Sequence, residues 1–331
     1  MNILLNGYFD KNFGDDAMQE IIVKHFNEHE FYPNCKQREM LAHLEKYENV
    51  HIGEDIPEVD LFLNVIGTGF LYQTRFAKVT KLFEVLFKKT VKYPRMALVD
   101  CSTEQFTSKT EEWLVKRGIG QYDFITCRDS VTYEFLNKNI KKASVFQFND
   151  IIFAGDYAME SKREFLGIAP VNRAKSDKNY KYYKELADFA DRYIETEKRE
   201  VKLFAFDAGN ENDVLAVTSI KNMMRNKDRA RIVAYNSDTK EFVKEFSECE
   251  MIIGSRFHSI VLAVLNGINT IAVYDNEKIY RICQDFNIMG IKKNSLSAEQ
   301  LMHSVKNYQH YSADTSDAEG HINALSAFLT E

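Results

Sequence analysis

The chain has 331 residues, of which 45% are hydrophobic and 28% charged, a globular composition with enough length for two domains. A net charge of −6 argues against general nucleic-acid binding, which calls for a basic surface. The five cysteines are scattered without a C-x-x-C pair or a Cys/His cluster, so neither a disulfide framework nor a zinc site is expected.

Short apolar runs alternate with amphipathic segments along the chain. The runs predict buried strands at residues 3–5, 61–66, 96–99, 124–126 and 145–148, and then at 166–169, 201–206, 232–234, 251–253 and 270–273. Apolar spacings of three and four predict intervening helices, clearest at residues 17–26, 182–193 and 242–246. This alternation is typical of parallel sheets covered by helices on both faces. It predicts an α/β protein of two Rossmann-like domains facing a cleft, with ligands beyond the carboxyl ends of the strands.

The domain boundary is expected near residues 155–165. We assign residues 1–158 to the N-terminal domain and residues 159–310 to the C-terminal domain. Residues 311–331 form a polar loop and a short helix at 322–329, which by analogy with this architecture crosses back to the first domain.

The first candidate segment is Asn6 to Ala17, which joins the first strand to the first helix. Gly14 permits a tight turn or a positive φ, and Asp15 or Asp16 could cap the helix. A helix N-terminus can bind an anion, but two carboxylates suit sugar hydroxyls or proton transfer better. A well-capped structural helix is an equally good interpretation of these residues.

Two further segments follow strands of the first half. Gly67-Thr68-Gly69 would let a ligand approach the backbone, although a structural turn is the commoner explanation. Arg128, in Cys127-Arg128-Asp129-Ser130, could grip a carboxylate or phosphate. The structural alternative is a surface pair of Arg128 with Asp129, with Ser130 capping the helix.

The most informative segment runs from Ile252 to Ala263. A buried strand ends in Gly-Ser, and an apolar helix then begins with Arg256 and His258 in its first turn. The positive end of the helix macrodipole adds to Arg256 in attracting an anion. A single His is more often structural, but Ser255, Arg256 and His258 together favour a functional site.

Lysines and arginines occur in two more places. Lys278 and Arg281 follow the strand at 270–273 and could reach the same cleft, although such charges are usually solvated. The basic amphipathic stretch at residues 76–95 could touch an anionic membrane surface, but a core-packing helix with a solvated basic side is the commoner case. No apolar run reaches the ~18 residues of a membrane span, and the first residues lack the basic region of a signal peptide, so we expect a cytoplasmic protein.

Taken in this order, the segments FGDDA, GTG, CRDS and GSRFHSIVLAVLNGINTIAVYDNEKI resemble the polysaccharide pyruvyltransferase family. The resemblance extends over residues 1–290, and GSRFHS is its most specific part. The sequence departs from the family pattern at Thr68, at Asp16, where Glu is usual, and at Ser130, which comes one residue early.

The resemblance implies a GT-B-like fold and a transferase that forms a pyruvate ketal on a bacterial cell-surface saccharide or its lipid-linked precursor. Phosphoenolpyruvate would be the co-substrate, with no metal and no other cofactor. Such enzymes serve the synthesis of capsule or exopolysaccharide, so this one would work in the cytoplasm or at the inner membrane surface. The C-terminal domain would hold the donor and the N-terminal domain the acceptor and part of the donor site.

The resemblance also assigns roles to residues. The donor would meet Arg128, His258 and Lys278, with Arg256 and Ser255 as further candidates. We hypothesise in addition that His258 protonates the methylene carbon of phosphoenolpyruvate and that Asp15 assists the attack of a sugar hydroxyl. The acceptor or cleft positions would be Gly14, Asp16, Gly67 and Gly69. Two alternatives stay open, a GT-B glycosyltransferase that uses a nucleotide sugar and a non-catalytic glycan-binding member of the family. Retention of Arg128, His258 and Lys278 speaks against the second.

Overall fold

The computed structural model describes residues 1–68, 93–103, 106–172, 178–311 and 313–331. These residues form two compact units. The first comprises Met1–Phe9, Ala17–Gly155 and Thr315–Glu331, and the second comprises Asp10–Asp16 and Asp156–Asp314. The first turn of the first helix therefore belongs to the second unit, and the C-terminal helix to the first.

Each unit is built on a parallel six-stranded sheet. The strands of the first sheet are β1 (Asn2–Gly7), β2 (Glu30–Pro33), β3 (Leu61–Val65), β4 (Met96–Cys101), β5 (Phe124–Cys127) and β6 (Ser144–Gln147). Those of the second are β7 (Phe165–Ala169), β8 (Glu200–Ala205), β9 (Ala230–Ala234), β10 (Cys249–Gly254), β11 (Asn269–Tyr274) and β12 (Gly290–Lys292). The strand orders are β2-β1-β3-β4-β5-β6 and β12-β11-β10-β7-β8-β9.

Helices connect the strands, as parallel pairing requires. Those of the described residues are α1 (Phe13–His25), α2 (Lys109–Ile119), α3 (Ser130–Asn139), α4 (Lys178–Glu197), α5 (Asp213–Met223), α6 (Thr239–Ser247), α7 (Phe257–Leu265), α8 (Glu277–Asp285), α9 (Ala298–Lys306) and α10 (Gly320–Thr330). Short 3₁₀ turns occupy Arg38–Met40, Ala42–Leu44, Ile151–Ala154, Lys227–Arg229, Lys293–Ser295 and Ser316–Glu319.

The α/β prediction is confirmed, and all ten predicted strands are present within one or two residues of their expected ends. Two strands were missed, β2 and β12. Both lie at sheet edges, and β2 ends in Pro33 while β12 has three residues, so neither carries the long apolar run of a buried strand. The expectation of a buried strand at 145–148 is wrong in its burial, since β6 is an edge strand whose residues are mostly exposed.

Strand order locates the places where a ligand would bind in each unit. In the first sheet, β2 and β3 lie on opposite sides of β1. In the second sheet, β8 and β10 lie on opposite sides of β7. Ligands in open α/β sheets bind beyond the carboxyl ends of the strands at such switch points. In the second unit this is the end of β10, which continues directly into Ser255 and α7.

Of the basic stretch predicted at residues 76–95, residues 76–92 lie outside the described residues. Within the part of the chain that the structure describes, no helix is both long and apolar enough to cross a membrane.

Candidate active site

In the second unit, His258 stands at the start of an apolar helix. Gly254 ends β10, Arg256 occupies the N-cap position and α7 begins at Phe257, which confirms the predicted helix start. Residues Ser259 to Ala263 are fully buried. The polar side chains of this segment are therefore concentrated in the strand–helix turn and in the first turn of α7.

The backbone of Gly14 lies directly against the imidazole ring of His258. A β-carbon placed on Gly14 would come within 1.6 Å of Nδ1 and 2.2 Å of Cε1 of His258. Gly14 does not have a positive φ, so the glycine is required by this close approach and not by its backbone conformation. The Gly14 N–H donates to Asn12 Oδ1 at 3.0 Å, which fixes the loop that faces the ring.

The two acidic residues after Gly14 have different surroundings. Asp16 is fully buried, and its Oδ2 accepts a hydrogen bond of 2.7 Å from the hydroxyl of Tyr235. Asp15 is half-buried in the same helical turn. Asn12 takes the capping place expected for Asp15 or Asp16, because it immediately precedes the helix. Of the two carboxylates, Asp15 is thus the better placed to meet a ligand.

The segment before α1 is joined to the end of β8. Asn12 and Asp207 form an antiparallel bridge, and Asn12 Nδ2 donates to Asp207 Oδ2 at 3.2 Å. Burial raises the pKa of the Asp207 carboxyl, while Arg256 and hydrogen bonds from Asn212 and Asn12 act in the opposite direction. Asp207 is a buried titratable group close to the predicted donor residues.

Arg256 is held by carboxylates. Its Nε and Nη2 donate to the two oxygens of Asp213 at 2.7 and 2.6 Å, and Nη1 pairs with Glu211. Burial alone would lower the pKa of Arg256, but Asp213 and Glu211 raise it, so the guanidinium stays charged. Asp213 is fully buried and also accepts from the backbone N–H of Asn172. This bidentate pair fixes the N-cap of α7.

Ser255 belongs to the turn between β10 and α7, and Lys278 contacts Phe257, the first residue of α7. Ser255 is buried, with its Oγ 2.5 Å from the hydroxyl of Tyr182. Lys278, in the first turn of α8, places its Nζ 4.1 Å from the ring centroid of Phe257. The rings of Phe257 and His258 meet edge to face at 5.3 Å. The second unit therefore brings Gly14, Ser255, Lys278 and His258 to one region.

Arg128, in the first unit, is almost completely buried, with 2% of its side chain exposed. Its Nη1 donates to Asp100 at 3.0 Å and to Asp150 at 2.7 Å. Burial would lower the pKa of Arg128, but these carboxylates raise it. The expected surface pair with Asp129 is wrong, and so is the cap at Ser130, since Asp129 itself caps α3 by accepting from the N–H of Thr132.

Gly67 packs on the Arg128 guanidinium. A β-carbon at Gly67 would lie 2.7 Å from Nη2, so this glycine too is required by a close approach to a predicted functional side chain. The other predicted cleft glycine, Gly69, lies outside the described residues. Asp100 has a φ of 61°, a conformation that Asp tolerates better than most residues, and this turns its carboxylate toward Arg128.

The C-terminal helix completes the surroundings of Arg128 in the first unit. His321 of α10 is fully buried; its Nδ1 lies 2.7 Å from Thr126 Oγ1 and its Nε2 2.8 Å from the carbonyl of Asn149. A carbonyl can only accept, so Nε2 carries the proton. Burial lowers the pKa of His321 to about 4, which keeps the ring neutral, and Nε2 also lies 3.4 Å from Asp100 Oδ1.

Sequence reasoning did not find the partners of these residues. Asp100 lies in β4, Asp150 and Asp207 come shortly after strands, and Asp213 begins α5, but acidic residues are common at such places and nothing in the sequence pairs them with an arginine. Asp-Ala-Gly-Asn-Glu-Asn-Asp at 207–213 could have been noticed as a polar loop after a buried strand. Among the described residues, no group of three or more His, Cys, Asp or Glu side chains could hold a metal ion.

A family model for polysaccharide pyruvyl transferase matches residues 12–277, which is most of the chain, and ends one residue before Lys278. The chain belongs to the polysaccharide pyruvyl transferase family. The match includes the Gly14 loop, Arg128 and the His258 turn, three of the segments on which the sequence resemblance was based. No curated protein matched in a separate search.

Several solved structures share the fold. UDP-GlcNAc 2-epimerase from Methanocaldococcus jannaschii has a TM-score of 0.62 and 11% identity, covering 99% of this chain and 100% of that one. The Neisseria meningitidis enzyme, bound to UDP-GlcNAc, has a TM-score of 0.62 and 9% identity, covering 100% of both chains. The Rickettsia bellii enzyme gives 0.62 and 11%, covering 100% and 96%. The fold of this pyruvyl transferase family member is thus GT-B-like, and the prediction is confirmed.

Proposed function

We propose that this protein transfers the pyruvyl group of phosphoenolpyruvate to two hydroxyls of a saccharide, forming a pyruvate ketal. Family membership gives the class of reaction. The single observation that supports it most directly is the position of His258, held at the start of α7 by the backbone of Gly14. A positioned imidazole is a suitable acid for the protonation with which this chemistry begins.

The steps assign one group to each proton. The imidazolium of His258 protonates the methylene carbon of phosphoenolpyruvate, which becomes a methyl group, and positive charge develops at C2. A sugar hydroxyl attacks C2 and gives its proton to Asp15. The bond between C2 and the phosphate oxygen then breaks, and the leaving phosphate takes the proton from Asp15. A second hydroxyl attacks C2 to close the ketal and gives its proton to the neutral imidazole of His258, which restores the imidazolium. The products are the pyruvylated saccharide and inorganic phosphate.

The donor is an anion with a carboxylate and a phosphate, so its site requires cations. Lys278 lies over the ring of Phe257, next to His258, and is our first candidate for a residue that binds the donor. Ser255 and the N-terminus of α7 supply hydrogen-bond donors and the positive end of a helix macrodipole. Arg256 shares its charge with Asp213 and Glu211, so we propose that it contributes chiefly by fixing this turn.

Arg128 stays a proposed donor residue because the family resemblance implies that role. Its two buried carboxylate partners also give it a structural task within the first unit. We propose that Gly14 and Gly67 shape the site. Asp16 is proposed to do the same and not to contact the acceptor, because its carboxylate is buried against Tyr235. The acceptor is proposed to be a precursor of a cell-surface polysaccharide, with the reaction in the cytoplasm.

The test is thermal stabilisation of the purified protein by phosphoenolpyruvate, with UDP-GlcNAc and sulfate as controls. Ligand at ~100 times its dissociation constant should add about 2.7 kcal/mol to the free energy of unfolding, seen as a rise in melting temperature. Methyl glycosides with neighbouring hydroxyls are then offered as acceptors, and phosphate release and ketal formation are measured. A response to UDP-GlcNAc but not to phosphoenolpyruvate would replace this proposal by glycosyl transfer.

A variant identifies the proton donor. His258→Ala should fold and should still bind phosphoenolpyruvate, but turnover should fall by about 10²–10⁴-fold, the usual contribution of general acid catalysis. His303→Ala, at an exposed histidine of α9, is the control and should keep full turnover. Undiminished turnover of His258→Ala would remove His258 from the mechanism.

A further inference from the structure

A second lysine lies at the same edge of the second sheet as the proposed donor site. Lys293 immediately follows β12, as Asp275 follows β11 and Ser255 follows β10. Because the three strands are parallel neighbours, their carboxyl ends bring these residues to one edge of the sheet. The 11% exposure of the Lys293 side chain distinguishes it from Lys292, which is exposed.

The ammonium group of Lys293 has a defined position. Its Nζ lies 3.2 Å from Asn179 Oδ1, 3.4 Å from Asp275 Oδ2 and 4.6 Å from the ring centroid of Tyr182. Both Asn179 and Tyr182 are buried and belong to the first two turns of α4. The lysine is therefore positioned by side chains from a helix and from a strand end.

These contacts lead directly to the turn that carries His258. The ring of Tyr182 lies beneath the Lys293 ammonium, and its hydroxyl is 2.5 Å from Ser255 Oγ. Lys278 approaches the other end of the turn, where its Nζ lies over Phe257. Lys278 thus contacts the segment 255–258 directly, and Lys293 is linked to it through Tyr182.

The position of Lys293 has an electrostatic cost. A cation near the N-terminus of a helix is repelled by the positive end of the macrodipole, and α4 has 20 residues. Withdrawing an ammonium group from water adds to that cost. The Asp275 carboxylate, 3.4 Å from Nζ, offsets part of this cost, and a bound anion would offset more of it. Phosphoenolpyruvate carries two anionic groups.

We propose that Lys293 is a donor-binding residue that contacts an anionic group of phosphoenolpyruvate, opposite Lys278. This assignment rests on the proposed function and extends it to residues beyond the end of the family match at position 277. Tyr182 and Asn179 act as positioning residues that hold the ammonium group toward the ligand.

The experiment compares Lys293→Met with Lys292→Met and Lys293→Arg, using phosphoenolpyruvate as the titrant in calorimetry. Lys293→Met should raise the dissociation constant about 10–100-fold, as expected for a hydrogen bond to a charged group, whereas Lys292→Met should stay within about twofold. Lys293→Arg should restore part of the affinity. The melting temperature without ligand should change little in any variant, which separates binding from folding.

Each outcome decides one point. Unchanged affinity in Lys293→Met, or an equal loss in Lys292→Met, would overturn the role of Lys293. A large fall in the melting temperature of ligand-free Lys293→Met with normal affinity would make Lys293 purely structural and would overturn it as well. Failure of the unaltered protein to bind phosphoenolpyruvate is a separate result, which would reject the proposed function itself.

Discussion

Gly14 lies so close to His258 that a β-carbon on Gly14 would come within 1.6 Å of the imidazole Nδ1. The ring therefore has its orientation set by a backbone that only glycine can provide. Other side chains could be accommodated only if the ring or the loop moved. Because Gly14 has no side chain, the ring of His258 can lie directly against its backbone, although the two residues are far apart in the sequence.

Gly14→Ala should displace His258 while leaving most of the fold intact. We expect ketal formation to fall at least tenfold, because a misplacement of about 1 Å can cost a hundredfold in rate. Gly53→Ala is the matched control. Gly53 has a φ of 78° and open space around its β position, so alanine there costs stability without moving a neighbour. Equal activity of the Gly14 and Gly53 variants would contradict the orienting role of Gly14.

Substitution of Asp15 should affect mainly the activity, whereas substitution of Asp16 should affect mainly the stability. Asp16→Ala leaves the buried Tyr235 hydroxyl without its acceptor and should lower the free energy of unfolding by about 1–3 kcal/mol. Asp15→Ala should lower that free energy by less than about 1 kcal/mol, mainly through the helix dipole, but should reduce ketal formation. Urea unfolding and the turnover assay measure the two effects. The reverse pattern would show that our choice between the two carboxylates is wrong.

Arg128→Ala should be strongly destabilising. The change leaves Asp100 and Asp150 buried without their shared cation, for which a loss of about 3–5 kcal/mol in the free energy of unfolding is typical. Arg117→Ala, at an exposed arginine of α2, should change it by less than about 0.5 kcal/mol. If Arg128→Ala unfolds at the same urea concentration as the unaltered protein, the buried ion triad contributes nothing to the fold.

The buried histidine of α10 should make stability sensitive to acid. The pKa of His321 is lowered to about 4 in the folded protein, against an ordinary value of about 6.5. The unfolded chain therefore binds a proton that the folded protein resists, and stability is lost as the pH falls from 6.5 towards 4, by up to about 3 kcal/mol. The buried His43, whose pKa burial lowers to about 3, adds a loss of the same sign.

His321→Gln isolates this contribution. Unfolding free energies at pH 7.5 and pH 5 should differ less in this variant than in the unaltered protein, although the variant is less stable at pH 7.5. His303→Gln, at an exposed position, should keep the full pH dependence. An identical acid loss in all three proteins would mean that the His321 proton is not what limits stability.

The sequence was sufficient for the architecture because buried parallel strands carry their own signal. Each of the ten predicted runs is apolar enough to be recognised alone, as in Leu61–Val65 and Cys249–Gly254. The edge strands β2 and β12 were missed because β2 ends in Pro33 and β12 has only three residues, so neither has a long apolar run. The other two edge strands, β6 and β9, were predicted from apolar residues at 145–148 and 232–234. Lys293 was missed with β12, because the turn that positions it follows an unpredicted strand.

Side-chain partnerships were the part that the sequence did not contain. Arg128 and Asp129 are neighbours in the chain, yet Arg128 pairs with Asp100 and Asp150, which β4 and a 3₁₀ turn bring to it. Gly14 was singled out for its backbone freedom, but the structure shows that its backbone lies against the ring of His258, which is far away in the sequence. Such contacts depend on the register of whole sheets, which local patterns do not fix.

Residues Asp10–Asp16 belong to the second unit, although the chain on both sides of them belongs to the first, so the second unit cannot be cloned as one continuous segment. Phe13 is fully buried there, with its ring 5.5 Å from Phe206, 5.7 Å from Tyr235 and 5.2 Å from Phe242. A fragment cloned from residue 156 onward would lack this ring and the glycine that faces His258. The unit that contains His258 is thus not one continuous segment of the chain, and exchanging it between relatives requires the N-terminal loop as well.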